Sequence, residues 1–204
     1  MAADGEQLRG RTRWRRFLLT FTFGATVAAV LLTGMSSGAI AASFTVSGAT
    51  FKISATQLRG QGVVQYGTVD QSAGNAYPVL ATGFVKVEAD NFCQSFVVHS
   101  VPVFNDLTIR ITAPGQTGFS ADNLVIGSQS LTGNLTMSNV QLGHDAGQLD
   151  NGPPGVHGLA GSFGIQASGL TLDQLQEVST STTAATLRLN RVQISALGGT
   201  HECF

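Results

Sequence analysis

The chain has 204 residues, of which 11% are charged and 43% hydrophobic, and a formal net charge of −1. Five of its eleven basic residues crowd into the first 16 positions, so past residue 41 six basic side chains face ten acidic ones, formally −4. No basic patch remains there that could neutralise phosphates, which excludes nucleic acid as a partner.

Arg9, Arg11, Arg13, Arg15 and Arg16 form a basic start, and Phe17 to Thr33 follow without a charge. Gly34-Met35-Ser36-Ser37-Gly38-Ala39-Ile40-Ala41 then ends in small residues with an Ala-x-Ala pattern. This order reads as a secretory signal peptide over residues 1–41, cleaved between Ala41 and Ala42. The apolar run is at the lower edge of what spans a bilayer, so an uncleaved membrane anchor is the alternative. Arg15-Arg16-Phe17-Leu18-Leu19 carries a weak twin-arginine signal, because Trp14 stands where Ser or Thr is usual.

Residues 42–204 make one domain with enough chain for a core. Few charges with much Gly, Ser, Thr, Val and Leu predict many short strands rather than amphipathic helices. Phe51-Lys52-Ile53-Ser54-Ala55-Thr56-Gln57-Leu58 matches Val85-Lys86-Val87-Glu88-Ala89-Asp90-Asn91-Phe92 position by position in character. Phe119-Ser120-Ala121-Asp122-Asn123-Leu124 is a third copy, and Gln166-Ala167-Ser168-Gly169-Leu170 a weaker fourth. A second pattern spaces Leu135, Met137, Val140 and Leu142 like Leu187, Leu189, Val192 and Ile194. Each half alternates with period 2, and the phase slips at Ser138-Asn139 and at Asn190-Arg191. A slip of one residue flips side chains across a sheet, so each site predicts a bulge or a strand-to-strand turn. Leu172 to Val178 could make two helical turns, but the Ser-Thr run after it favours a strand.

Gly60-Gln61-Gly62, Ser72-Ala73-Gly74-Asn75, Ala113-Pro114-Gly115 and Leu197-Gly198-Gly199 are the turn signals. Between Gly143 and Gly164 a long irregular segment places Gly152, Gly155, Gly158, Gly161 and Gly164 every third residue. Collagen has this spacing, but five triplets with two prolines are too few for a triple helix. The expected structure is an extended polyproline-like strap whose glycines let its backbone lie close to the sheet. Cys93 and Cys203 are the only cysteines, and outside the cytoplasm such a pair predicts a disulfide that pins the C-terminus; two buried free thiols are the alternative.

Motifs that carry chemistry are scarce. Gly34-Met35-Ser36-Ser37-Gly38 fits a nucleophile elbow but lies in the leader, and at Gly127-Ser128-Gln129-Ser130 the second glycine is replaced by Leu131. The best acid–base or metal-ligating candidates are His144 beside Asp145, with His157 nearby, although His and Asp in a polar loop are usually solvated. His99 and His201 have no such context, and Tyr66 and Tyr77 near Asp70 read first as packing residues. No cofactor motif is present and no metal site is assigned.

Ala42-Ser43-Phe44-Thr45-Val46-Ser47-Gly48, Phe51-Lys52-Ile53-Ser54-Ala55, Val64-Gln65-Tyr66-Gly67, the Gly-Pro-Pro-Gly strap, the Arg-rich start and the ending Glu202-Cys203-Phe204 resemble a family of exported actinobacterial proteins of unknown function. Some members of that family carry the label cholesterol esterase, which no residue here supports. The resemblance implies export, and a small multi-pass membrane protein encoded nearby as an envelope partner; it supplies no catalytic residues to carry over.

The expected fold is all-β: an N-terminal signal helix, then a single domain of repeated β-hairpin units in a curled antiparallel sheet. A β-roll or β-helix is the alternative. The expected function is that of an exported, non-catalytic cell-envelope or secreted protein that binds a lipid-like ligand or a membrane partner. A secreted lipid esterase and a structural surface or spore-coat component are the alternatives. The sequence assigns no oligomeric state.

Overall fold

A computed structural model describes Trp14, Phe21 and residues 49–72, 75–103 and 105–204. The rest of the leader, its Ala41–Ala42 junction and the expected signal helix lie outside the described residues. The chain divides into two compact units, Met1–Ala42 and Ser43–Phe204. Every strand described below belongs to the second.

Among the described residues, nine strands form one sheet with antiparallel ladders throughout. They are β1 (Phe51–Ser72), β2 (Asn75–Asp90), β3 (Phe92–Val101), β4 (Asn105–Ala113), β5 (Phe119–Ser138), β6 (Gln141–Asp145), β7 (Phe163–Thr183), β8 (Thr186–Leu189) and β9 (Gln193–Gly198). The order is β6-β7-β5-β2-β1-β3-β4-β9, with β8 on β5 and a further ladder between β7 and β1. That last ladder closes β1, β2, β5 and β7 into a four-strand ring. Parallel rungs of a β-helix are not formed, and the hairpin expectation holds only in part. The β1–β2 and β3–β4 pairs are hairpins, whereas β5 and β7 find partners far away in sequence.

The strands are longer than the turn signals imply. Gly60-Gln61-Gly62 lies inside the 22-residue β1 and is not a turn. Gly62 has φ +61°, and a Cβ there would stand 2.6 Å from Val85 and 2.7 Å from the Asn151 carbonyl, so only glycine fits. It bends the strand instead of ending it. Asn123 in β5 (φ 50°) and Gln174 in β7 (φ 56°) do the same. These bends coil the sheet, and each shifts the inward phase by one residue. In β7 the inward residues are therefore Ala167, Leu170, Leu172, Leu175 and Glu177. They face Val63, Gly60, Leu58, Ala55 and Ile53 of β1, so the slips on the two strands coincide.

A ring of only four strands has a narrow interior, and this explains the first repeat. Ala55, Ala89, Ala121 and Ala167, the shared position of the four copies, are all buried. Small side chains at these points leave room for Phe84, Val87, Leu124, Leu170, Leu172 and Leu175 in the same core. On the outer side, Arg59 grips Asp90 through both guanidinium nitrogens (2.8 and 2.9 Å), and the Thr117 amide donates to the same carboxylate at 2.7 Å. That cluster ties β1, β2 and the β4–β5 corner together.

The second repeat is also structural. Asn139 and Arg191 both have left-handed backbones, φ 50° and 52°; at Asn139 the chain continues along the same partner, β7, whereas at Arg191 it passes from β5 to β4. Leu135 and Leu187 are 51% and 49% exposed, Val140 and Val192 42% and 43%, and Leu142 and Ile194 both 68%. Spacing and exposure match, while the slip is a break along one partner strand in β5–β6 and a change of partner in β8–β9.

Cys93 and Cys203 are bridged, with Cα atoms 5.9 Å apart. The tail is also held by fully buried hydroxyls: Ser95 accepts from the Cys203 amide (3.0 Å) and Thr108 from the His201 amide (2.9 Å). Lys52 pairs with Glu202 at 2.9 Å and lies over the Phe204 ring. The Gly-rich segment is not one extended strap but a 3₁₀ turn (Ala146–Gln148) followed by bends and turns. It does lie close to the sheet, since a Cβ on Gly152 would sit 2.3 Å from Val64. Val64, Ala146 and Leu149, with Tyr66 and Val156 against them, form a second small core beneath it.

Candidate functional site

The ring is sealed along one stretch and open along another. Where β2 covers the interior, Phe84, Leu124 and Ile126 are buried. Past Ser128, β5 runs on beyond its ladder with β2 while still pairing with β7. The inward residues there, Leu131 and Leu135, are 38% and 51% exposed, and Leu187 of β8 is exposed beside them. Together they rim an apolar cavity of about 70 Å³ that continues inward to Phe84, Phe92, Leu124, Ile126, Leu172 and Leu175.

A few polar groups interrupt this lining, chiefly Gln65, Thr82, Gln94, Thr182 and Glu177. Glu177 stands out. In the ladders it lies between Ile53 of β1 and Leu131 of β5, so its carboxyl enters the ring in the row next to the rim. It is only 4% exposed. Ser128 and Ser179, both buried, donate their hydroxyls to Oε1, the latter at 3.0 Å. Burial raises the Glu177 carboxyl above the ordinary carboxylate range, against the lowering effect of the two serine hydrogen bonds. Among the described residues, no Lys, Arg or His lines the cavity to favour the anion.

Sequence reasoning did not single out Glu177. The signal was present, because an acid stands at the inward phase of a strand that reads Leu170, Leu172, Leu175, Glu177. The candidates it did select lie elsewhere. His144 Nδ1 contacts the Asp145 carbonyl at 3.2 Å, and His157 is exposed on the strap. Asp145 clasps the strap: its Oδ1 accepts from the amides of Gly147 and Gly161, both at 2.9 Å. Those two bonds hold its carboxyl below the ordinary range. His99 pairs with Asp106 at 2.9 Å near the exposed end of the β3–β4 hairpin. His201 is exposed on the pinned tail. Tyr66 packs in the second core, where burial raises its hydroxyl, in line with a packing role.

A second acid–hydroxyl cluster lies at the other end of β1. Asp70 Oδ2 accepts from Thr180 (2.5 Å) and Ser181 (2.7 Å), and a Cβ on Gly127 would crowd the carboxylate. It pegs β1 to β7 and borders a shallow groove rather than an enclosed space. Among the described residues, no group of three His, Cys, Asp or Glu side chains is placed to hold a metal ion. None of the described helical residues forms a helix long and apolar enough to cross a membrane.

Residues 47–204 match the model of a family of unknown function, DUF6230. The chain belongs to that family. The match covers the ring, the strap and the pinned tail, and it carries neither a source organism nor an esterase activity. No curated protein and no solved structure matches the chain.

Proposed function

We propose that this member of DUF6230 is an exported, non-catalytic protein of the cell envelope or secreted space that holds a lipid-like molecule at the open end of its ring. The observation that carries the reading is the apolar cavity rimmed by exposed Leu131, Leu135 and Leu187. Ligand sites are concave and mostly apolar, with a few fixed polar groups, and exposed apolar rims mark contact surfaces. The Arg-led leader and the Cys93–Cys203 bridge support an oxidising, extracytoplasmic setting. An esterase has less support, because Ser128 and Ser179 spend their hydroxyls on Glu177 and no described histidine stands at the cavity. Lipid extraction of protein purified from its native source, followed by mass spectrometry, tests the proposal. A bound lipid near one per chain is expected; nothing above background counts against it.

A second reading is favoured by the two ends of the sheet. β6 and β9 are the edge strands, and Leu142 and Ile194 on them are exposed alike. Such edges suit docking on a membrane partner or on further copies in a surface layer. Sizing the mature protein over a range of concentrations separates these outcomes: growth with concentration marks self-assembly, and a constant monomer leaves a different partner.

A further inference from the structure

Glu177 offers one hydrogen-bonding position to the cavity. Both serine donors go to Oε1, and no donor among the described residues reaches Oε2. With both donors on Oε1, Oε2 is the oxygen left to face the cavity, and in the protonated form that burial favours it can donate as well as accept. The surrounding wall is Ile53, Leu131, Leu172 and Leu175, with no cationic side chain. An anionic headgroup brought here would lose its hydration and gain no counter-charge, and an ammonium would form a buried ion pair whose desolvation offsets its attraction. An uncharged hydroxyl or carbonyl needs a single partner, and Oε2 supplies it.

We propose that Glu177 selects for uncharged amphiphiles, so that the site takes a long-chain alcohol or neutral ester in preference to a fatty-acid anion or a fatty amine. This rests on the cavity being a ligand site. The enclosed space of about 70 Å³ is roughly half the cavity of about 150 Å³ that admits benzene in an engineered protein. It therefore takes the headgroup and the first carbons. The rest of the chain lies in the open part, along Leu131, Leu135 and Leu187.

The test is displacement of the neutral fluorophore N-phenyl-1-naphthylamine from the full chain by 1-octanol, octanoate and octylamine at pH 7. Octanol is expected to compete at about tenfold lower concentration than either charged analogue. Glu177→Gln keeps a donor and an acceptor and should retain that preference. Glu177→Leu should weaken octanol by about tenfold, with circular dichroism confirming a folded sheet in both variants. Equal or tighter binding of octanoate or octylamine would overturn the proposal, and so would a preference for octanol that persists undiminished in Glu177→Leu. If octanol, octanoate and octylamine all bind alike, selection by Glu177 fails while the cavity stands as a ligand site. If neither the fluorophore nor any of the three binds, the cavity reading fails and this inference with it.

Discussion

The strap side and the open side of the ring are built from the same strands, yet they treat apolar surface in opposite ways. On the strap side, Val64 is fully buried because Gly152 and its neighbours lie against it, and an ionised carboxylate, Asp145, clasps the covering segment. On the open side, Leu131, Leu135 and Leu187 face inward and are exposed among the described residues, and burial raises the central carboxyl, Glu177. Covered apolar surface stabilises the fold, whereas uncovered apolar surface left in place is the mark of a partner or ligand. Among the described residues, the difference between the sides is that only the strap side carries a covering segment.

The largest effect should come from the scaffold that both sides share. Replacing Cys93 and Cys203 by Ser should cost about 2–5 kcal/mol in chemical denaturation, the usual range for a native bridge in a secreted domain. Both sides should lose stability together, because the bridge pins the tail rather than either face. Next, Gly152→Val should overpack Val64 and cost about 1–3 kcal/mol, while binding at the open side is preserved. Equal damage to both sides would break the comparison.

The two carboxyls predict opposite pH behaviour. Glu177 has a folded pKa raised above its unfolded value of about 4.3, so its contribution is fully present below that pH and is lost as pH rises through the folded pKa. The folded pKa of Asp145 is lowered, so its contribution is present above about pH 4 and is lost on further acidification. Denaturation midpoints of Glu177→Gln should therefore fall less than wild type as pH rises above the unfolded value of about 4.3. Asp145→Asn should flatten only the acid limb and speed amide exchange at Gly147 and Gly161. The smallest stability effect belongs to Leu135→Ser, within about 0.5 kcal/mol because the side chain is half exposed. Its binding of the neutral fluorophore should nonetheless drop several-fold. A large loss of stability there would mean that the leucine is core and not rim.

Much of this fold was legible in the residues. Ala55, Ala89, Ala121 and Ala167 marked a repeated position, and the slips at Ser138-Asn139 and Asn190-Arg191 marked a break along β7 and a turn to a new partner, because side-chain size and period-2 phase are local properties. Ring closure was not legible. The β1–β7 ladder joins residues 98 to 128 positions apart, from Tyr66↔Gly164 to Phe51↔Ser179, and Gly60-Gln61-Gly62 imitates a turn that tertiary pairing overrides. The site was half legible: the acid at position 177 stands at an inward phase, but only closure of the ring shows that it faces a cavity. His144 and Asp145 stood out only as weak candidates, and Asp145 serves backbone amides, a role that residue type alone does not distinguish from catalysis.

The most direct test of an uncovered ligand-holding end is photolabelling with a long-chain alcohol that carries a diazirine on its alkyl chain, followed by peptide mapping. The account predicts adducts concentrated on the segments holding Leu131, Leu135 and Leu187, reduced by excess octanol. Adducts concentrated on the strap around Gly152–Leu159, or labelling that excess octanol leaves unchanged, would contradict it.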